Sequence, residues 1–226
     1  MREIILDTET TGFEPSEGHR VIEVAAIEVV NLLPTGRFYH AIIDPQRDVP
    51  PEASRIHGFT RADLEGKPLF AEQMDAMLAF LGDSPIVAHN AAFDFKHLDA
   101  ELVRAGRPPL DGTRMVDSLA LARERFPGAP NSLDALCRRF EIDLSERTTH
   151  NALLDVRLLA QVYLELRGGR QLGLTLGAAP FATAALVQAT EAAAPRTPRP
   201  IQVPEERVAV HAAFLGKLKD PLWNRL

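Results

Sequence analysis

Apolar positions change rhythm along this chain. In the N-terminal part they come in dense runs: "REIILD" at 2–7, "VIEVAAIEVV" at 21–30 and "GRFYHAIID" at 36–44. Such runs, rich in Val and Ile, predict strands, the first of them fully buried. Short turn-like gaps between the three predict an antiparallel meander. From residue 70 onward the apolar residues recur at helical spacing. The pattern predicts helices over 70–82, 92–106, 132–142 and 151–169, with a buried strand at 85–90. The segment 113–128 reads as the end of a strand, then a helix, then a proline stop. A meander followed by alternating strands and helices predicts an α/β fold, a mixed sheet covered by helices.

After Gly169 the texture changes again. Residues 177–206 are rich in Ala and Pro and read as an extended, semi-flexible linker. Beyond it, 207–226 form a tail in which a helical pattern returns. Val210, Phe214 and Leu218 share one face by four-residue spacing, and Trp223 follows Pro221. The expected organisation is a catalytic-sized domain over 1–170 and a tethered tail.

Composition narrows the class. With 226 residues, 46% of them hydrophobic, the chain can build one proper core and an appendage. A net charge of -6 excludes a basic grip on nucleic acid over the whole surface. The single cysteine, Cys137, excludes an internal disulfide and fits a reducing, cytoplasmic location. "MREIIL" carries no leader-like apolar region, and no run of about 18 apolar residues predicts a membrane span.

Three segments carry the candidate chemistry. In "LDTETTGF" (6–13), Asp7 and Glu9 project from one face at the carboxyl end of the first strand. Carboxylates that close repel, and a divalent cation would relieve them; a plain turn is the competing reading. In "IVAHNAAFDFKHL" (86–98), a strand delivers His89 and Asn90, and Asp94 follows in the first turns of a helix. Helix capping by Asn90 and a dipole role for Asp94 compete here. A zinc site from His89, Asp94 and His97 is disfavoured, because the surrounding donors are oxygens, which suit Mg²⁺ or Mn²⁺. In "THNALLD" (149–155), His150 and Asp155 lie about 140° apart around a helix axis. They meet only if His150 precedes the helix and Asp155 lies one turn inside it. Each segment has an ordinary structural reading; all three together do not.

"DTETTG", "HNAAFD" and "HNALLD", with "IHGFT" at 56–60, resemble in order the motifs of the DnaQ-like DEDDh 3′–5′ exonucleases. The resemblance covers about residues 1–170 and implies a ribonuclease H-like fold with a central five-stranded sheet. It makes Asp7, Glu9, Asp94 and Asp155 the four acids and His150 the histidine. His97 and Val156 depart from residues common in the family, without touching these five. The family implies two divalent cations, Mg²⁺ or Mn²⁺, about 4 Å apart on the scissile phosphate. Asp7 would bridge both, Glu9 and Asp155 would hold the ion of the attacking water, and Asp94 would support the other. His150 would be the general base, and nucleoside monophosphates would leave from a DNA 3′ end. Thr10, Thr11 and Gly12 would hold the terminal sugar, Phe13 and Phe93 would stack on bases, and His57 and Asn90 would add contacts.

Two further segments imply partners. "QLGLTL" at 171–176 resembles the short peptide by which bacterial replication proteins bind the beta sliding clamp, through Gln171, Leu172, Leu174 and Leu176. Domain, Gly-rich joint, linker and tail together resemble the proofreading branch of the family that serves bacterial DNA polymerase III. There the tail binds the polymerase (alpha) subunit, here through Val210, Phe214, Leu218 and Trp223. A tether would raise the local concentration of the nuclease at the primer end. A relative that trims RNA 3′ ends would share the same five residues, and a non-catalytic bridge between clamp and polymerase is the reading from another class.

Overall fold

The structure is a computed structural model, and it describes residues 1–145, 147, 149–169 and 203–217. Contacts divide the chain into two units, Met1–Leu174 and Thr175–Leu226. The first is built on a five-stranded sheet in the order β3-β2-β1-β4-β5. Here β1 is Arg2–Thr10, β2 Val21–Val30, β3 Leu33–Ile42, β4 Ile86–Ala88 and β5 Met115–Asp117. β1, β2 and β3 pair antiparallel, as the meander requires, and β4 and β5 add parallel to β1. The predicted mixed α/β sheet is therefore the observed one.

Strand alternation sends the core to both faces. Ile4 and Leu6 pack with Met77 and Leu81 of α3 (Phe70–Leu81) and with Phe95, Leu98 and Leu102 of α4 (Ala91–Arg104). Ile5 packs on the opposite face with Leu136 of α6 (Leu133–Arg139) and with Val156, Leu159 and Tyr163 of α7 (Ala152–Leu166). Ile4, Ile5 and Leu6 are fully buried, each stabilising the fold by roughly 1.5–3 kcal/mol. This clamping of β1 between two helical layers fixes whatever its carboxyl end presents.

Two features differ from the expectation. β3 begins at Leu33 instead of residue 36, because Asn31 and Leu32 both adopt positive φ (51° and 70°) and close a two-residue hairpin. Leucine in that conformation is uncommon, so the turn carries no sequence signal. Two short helices, α1 (Pro51–His57) and α2 (Arg61–Leu64), occupy a stretch without helical periodicity. α1 is started by Pro51 in its first turn and stopped by Gly58 at φ 84°. α5 (Ser118–Arg125) follows β5 directly. In the second unit α8 spans Glu205–Leu215 and buries none of its residues. No helix among the described residues is long and apolar enough to cross a membrane.

Candidate active site

The carboxyl end of β1 carries the acids. Ile5, Asp7 and Glu9 follow one another on alternate positions, so the carboxylates continue the face that packs on α7. Glu9 stands opposite Glu23 of β2, and the ladder shifts register immediately afterwards, between Glu9 and Thr10. Thr8, on the other face, donates its hydroxyl to Asp94 Oδ1 at 2.8 Å.

Two helix N-termini bring the remaining acids. Asp94 is the fourth residue of α4 and Asp155 the fourth of α7, and both are buried. Asn90 stands at the α4 N-cap at φ 70°, and its side chain makes no cap bond. The amides are bonded instead by Asp117 of β5, whose Oδ1 accepts from Asn90 N (3.0 Å), Ala91 N (3.4 Å) and Leu119 N of α5 (3.0 Å). The capping role considered for Asn90 thus falls to Asp117. On α7, Asn151 is extended and does cap, accepting from Leu154 N at 3.1 Å. Glu23, fully buried, accepts from Ala152 N (3.1 Å), Asn151 Nδ2 (3.3 Å) and His40 Nε2 (2.7 Å).

His150 precedes α7, is tied to α1 by its amide on Ile56 O (3.0 Å), and is about half exposed. One ligand atom each of Glu9, His150 and Asp155 lie within 4.8 Å of one another. His89 and His97 are elsewhere. The His89 Nδ1 faces Ser118 Oγ at 3.0 Å, and His97 lies between the carbonyls of Phe93 (2.9 Å) and Gly12 (3.1 Å).

Burial beside like charges dominates the electrostatics. Asp7 is held well above the usual carboxylate range by burial, then by Asp94, Glu9, Asp155 and Glu23. Glu9 is pushed up to about 8 by burial, then by Asp155, Glu23 and Asp94, with Arg147 opposing. Asp94 rises to about 7, chiefly by burial, with the Thr8 hydroxyl opposing. Carboxyls that hold protons near neutral pH are a donor set that divalent cations satisfy, and oxygen donors fit Mg²⁺ or Mn²⁺.

A cleft of about 350 Å³ opens beside the acids, lined in part by Thr10, Thr11, Gly12, Phe13, His57 and Phe93. Asn90 does not line it. The two threonine hydroxyls are engaged inside the loop: Thr10 Oγ1 donates to Gly12 O (2.8 Å), and Thr11 Oγ1 accepts from Arg20 N (3.0 Å). Phe13 is 72% exposed, edge-on to Phe93 with centroids 6.4 Å apart, which is not core packing. His57 Nδ1 accepts from Phe59 N (3.1 Å), so its proton sits on Nε2, which is buried without a partner among the described residues. On α8, Val210 and Phe214 are exposed. Leu218, Trp223 and the segment containing Gln171, Leu172, Leu174 and Leu176 lie outside the described residues.

Three functional residues escape the sequence reading. Arg147, Glu23 and Asp117 all hold the acids or the helices that carry them. A charged residue inside the β-branched run of β2 was the available signal for Glu23. For Arg147 it was the need of a buried Asp155 for a counter-charge.

This topology, with acids gathered at the end of the central strand, defines a nuclease class. The family model described as Exonuclease matches residues 4–163, and the chain belongs to that family. It is 51% identical over 174 residues to the DNA polymerase III subunit epsilon of Rickettsia felis, covering 76% of each chain. It is 48% identical over 176 residues to the subunit of that name from Escherichia coli K12, covering 75% of this chain and 72% of the relative. Among solved structures it resembles exonuclease X in complex with 5′ overhanging duplex DNA. There the TM-score is 0.58 at 26% identity, over 73% of this chain and 90% of the other. The Escherichia coli exonuclease I–single-stranded DNA complex shares the fold, with a TM-score of 0.63 at 19% identity, over 74% of this chain and 41% of that one.

Proposed function

We propose that the chain is the proofreading 3′–5′ exonuclease of a replicative DNA polymerase III, removing nucleoside 5′-monophosphates from DNA 3′ ends. One observation carries the reading: four carboxylates and His150, from β1, α4 and α7, converge beside a cleft with a partly aromatic lining. Asp7, Glu9, Asp94 and Asp155 would hold two divalent cations. Bound Mg²⁺ or Mn²⁺ supplies positive charge for the phosphate and makes water acidic enough to attack at neutral pH. His150, at the exposed lip, takes the proton from that water. Phe13 and Phe93 offer faces for the terminal bases, and His57, which lines the cleft, would add a contact to the bound end. Thr10, Thr11 and Gly12 shape the pocket as a rigid loop, the two hydroxyls being committed within it.

The domain boundaries belong to the same proposal: nuclease over 1–170, sliding-clamp peptide at 171–176, linker over 177–206 and polymerase-binding tail over 207–226. An acidic chain gains little affinity from counterion release on DNA, so tethering to the alpha subunit and the beta clamp supplies the encounter, in the cytoplasm. Digestion of a 5′-labelled DNA strand with a mismatched 3′ end tests the reading. Asp7→Ala or Asp155→Ala lowers Mg²⁺-dependent excision by about a thousandfold, a loss of about 4 kcal/mol in transition-state binding, with circular dichroism unchanged. Near-normal excision by either variant, or equal cutting of an RNA strand of the same sequence, overturns it.

A further inference from the structure

The two sides of the acid cluster are neutralised by different means. On the α4 side no cationic side chain among the described residues hydrogen-bonds Asp94; its described side-chain partner is the Thr8 hydroxyl. On the α7 side Arg147 lies flat against Asp155, with Nε 2.7 Å from Oδ1 and an Nη2 2.7 Å from Oδ2. The same Nη2 is 3.1 Å from His150 Nδ1, and the other terminal nitrogen bonds Asp134 of α6. The Arg147 side chain is 8% exposed, so this is a buried, two-pronged ion pair with little screening by water.

We propose that Arg147 is a resident counter-ion, exchanged for the divalent cation that Glu9 and Asp155 would hold beside His150. The inference rests on the two-cation reading above. A guanidinium can only donate, so with Arg147 in place each oxygen of Asp155 spends one lone pair on a positive group, and so does Nδ1 of His150. Those are two of the three groups whose ligand atoms lie within 4.8 Å of one another. A divalent cation entering there meets a guanidinium 2.7 Å from each Asp155 oxygen with little water to screen it, and the repulsion drives at least one arm of Arg147 away, which uncovers the histidine. The cost falls on one side only: Asp94 gives up a hydroxyl, Asp155 a cation. Filling the α7 position therefore costs the Asp155–Arg147 pair, and filling the α4 position does not. Asp134, partly exposed at the start of α6, remains as the anchor to which the guanidinium withdraws. A loop arginine that only fastened the 143–150 segment to α6 and α7 would have no reason to move when a metal binds.

The test uses the full metal-free chain and two readouts besides turnover. In calorimetric titration with Mn²⁺, Arg147→Gln should tighten one of two binding events by about tenfold and leave the other unchanged, with Arg147→Lys between it and the parent. In the unsubstituted chain, selectively labelled at arginine, the Arg147 Nε–H resonance should shift on Mg²⁺ addition, in step with that same event. Unchanged or weakened Mn²⁺ binding in Arg147→Gln overturns the inference, as does an Arg147 resonance that stays still at Mg²⁺ saturation. The labelling arm needs no variant, so a misfolded substitution does not shield the proposal. Absence of any Mn²⁺ binding to the parent chain would instead overturn the nuclease reading itself, and this inference with it.

Discussion

"HNAAFD" at 89–94 and "HNALLD" at 150–155 are nearly the same hexapeptide, each placing an acid four residues after an asparagine at a helix start. They deliver Asp94 and Asp155 to one cluster and send their histidines in different directions. The backbone of the asparagine decides this. Asn90 is left-handed at φ 70°, and His89 meets Ser118 at the start of α5. Asn151 is extended at φ -147°, caps its own helix, and leaves His150 at the lip of the site. Identical residue types at identical spacing thus leave one histidine at the lip of the site and one bonded to Ser118.

The sharpest way to break this comparison is to remove each histidine in turn. His150→Gln should lower excision by about 10²–10⁴-fold, the usual worth of a positioned general base. His89→Gln should leave turnover within a few-fold and cost about 1 kcal/mol of stability, through the lost bond to Ser118. Single-turnover kinetics and urea melts read both; equal kinetic damage would show that the two motifs do not divide the work.

Charge separates the halves next. The carboxyls of Glu9 and Asp94 hold protons in the metal-free fold that the unfolded chain has already released, since their folded pKa values lie above the ordinary ones. Folding then binds more protons than unfolding does, so stability falls as pH rises. The window runs from the ordinary carboxylate range to about 8 for Glu9 and about 7 for Asp94. The Tm of the chain in EDTA should drop by several degrees from pH 5 to pH 8, and saturating Mg²⁺ should flatten the slope. Glu9 sits among Asp7, Asp94, Asp155, Glu23 and Arg147, so Arg147→Gln should steepen it.

Smaller effects follow the asparagines. Asn151→Ala removes a cap and should cost about 1 kcal/mol, whereas Asn90→Gly, relieving a left-handed backbone that uses no side-chain cap, should cost less than about 0.5 kcal/mol in thermal melts. The mildest exchange copies one hexapeptide into the other. Phe93→Leu, matching Leu154, should raise KM for a DNA end a few-fold with kcat and Tm nearly unchanged, because Phe93 meets the exposed Phe13 at the cleft.

The sheet, its meander and the four acids were legible because they obey short periods: alternate positions on β1, and a fixed offset from each helix start. The α1–α2 stretch was not, since seven and four residues hold too few turns for a helical pattern. Nor were the groups that support the acids. Glu23 matters because pairing register sets it opposite Glu9, and Asp117 because β5 ends beside α4, 26 residues from the amide of Ala91 it receives. Arg147 lies in a loop with no period at all. The sequence shows charges to be neutralised; only the fold shows what neutralises them. Phe13 illustrates the reverse case, an apolar residue that stands in the open.

A single oxygen of Asp117 receives amides from the starts of two helices. In deuterated solvent the amides of Asn90, Ala91 and Leu119 should therefore lose protection together, in one opening event rather than three. That event also frees the helix end that carries Asp94. The exchange rate of three amides that bind no substrate becomes a clock for how often the catalytic cluster comes apart.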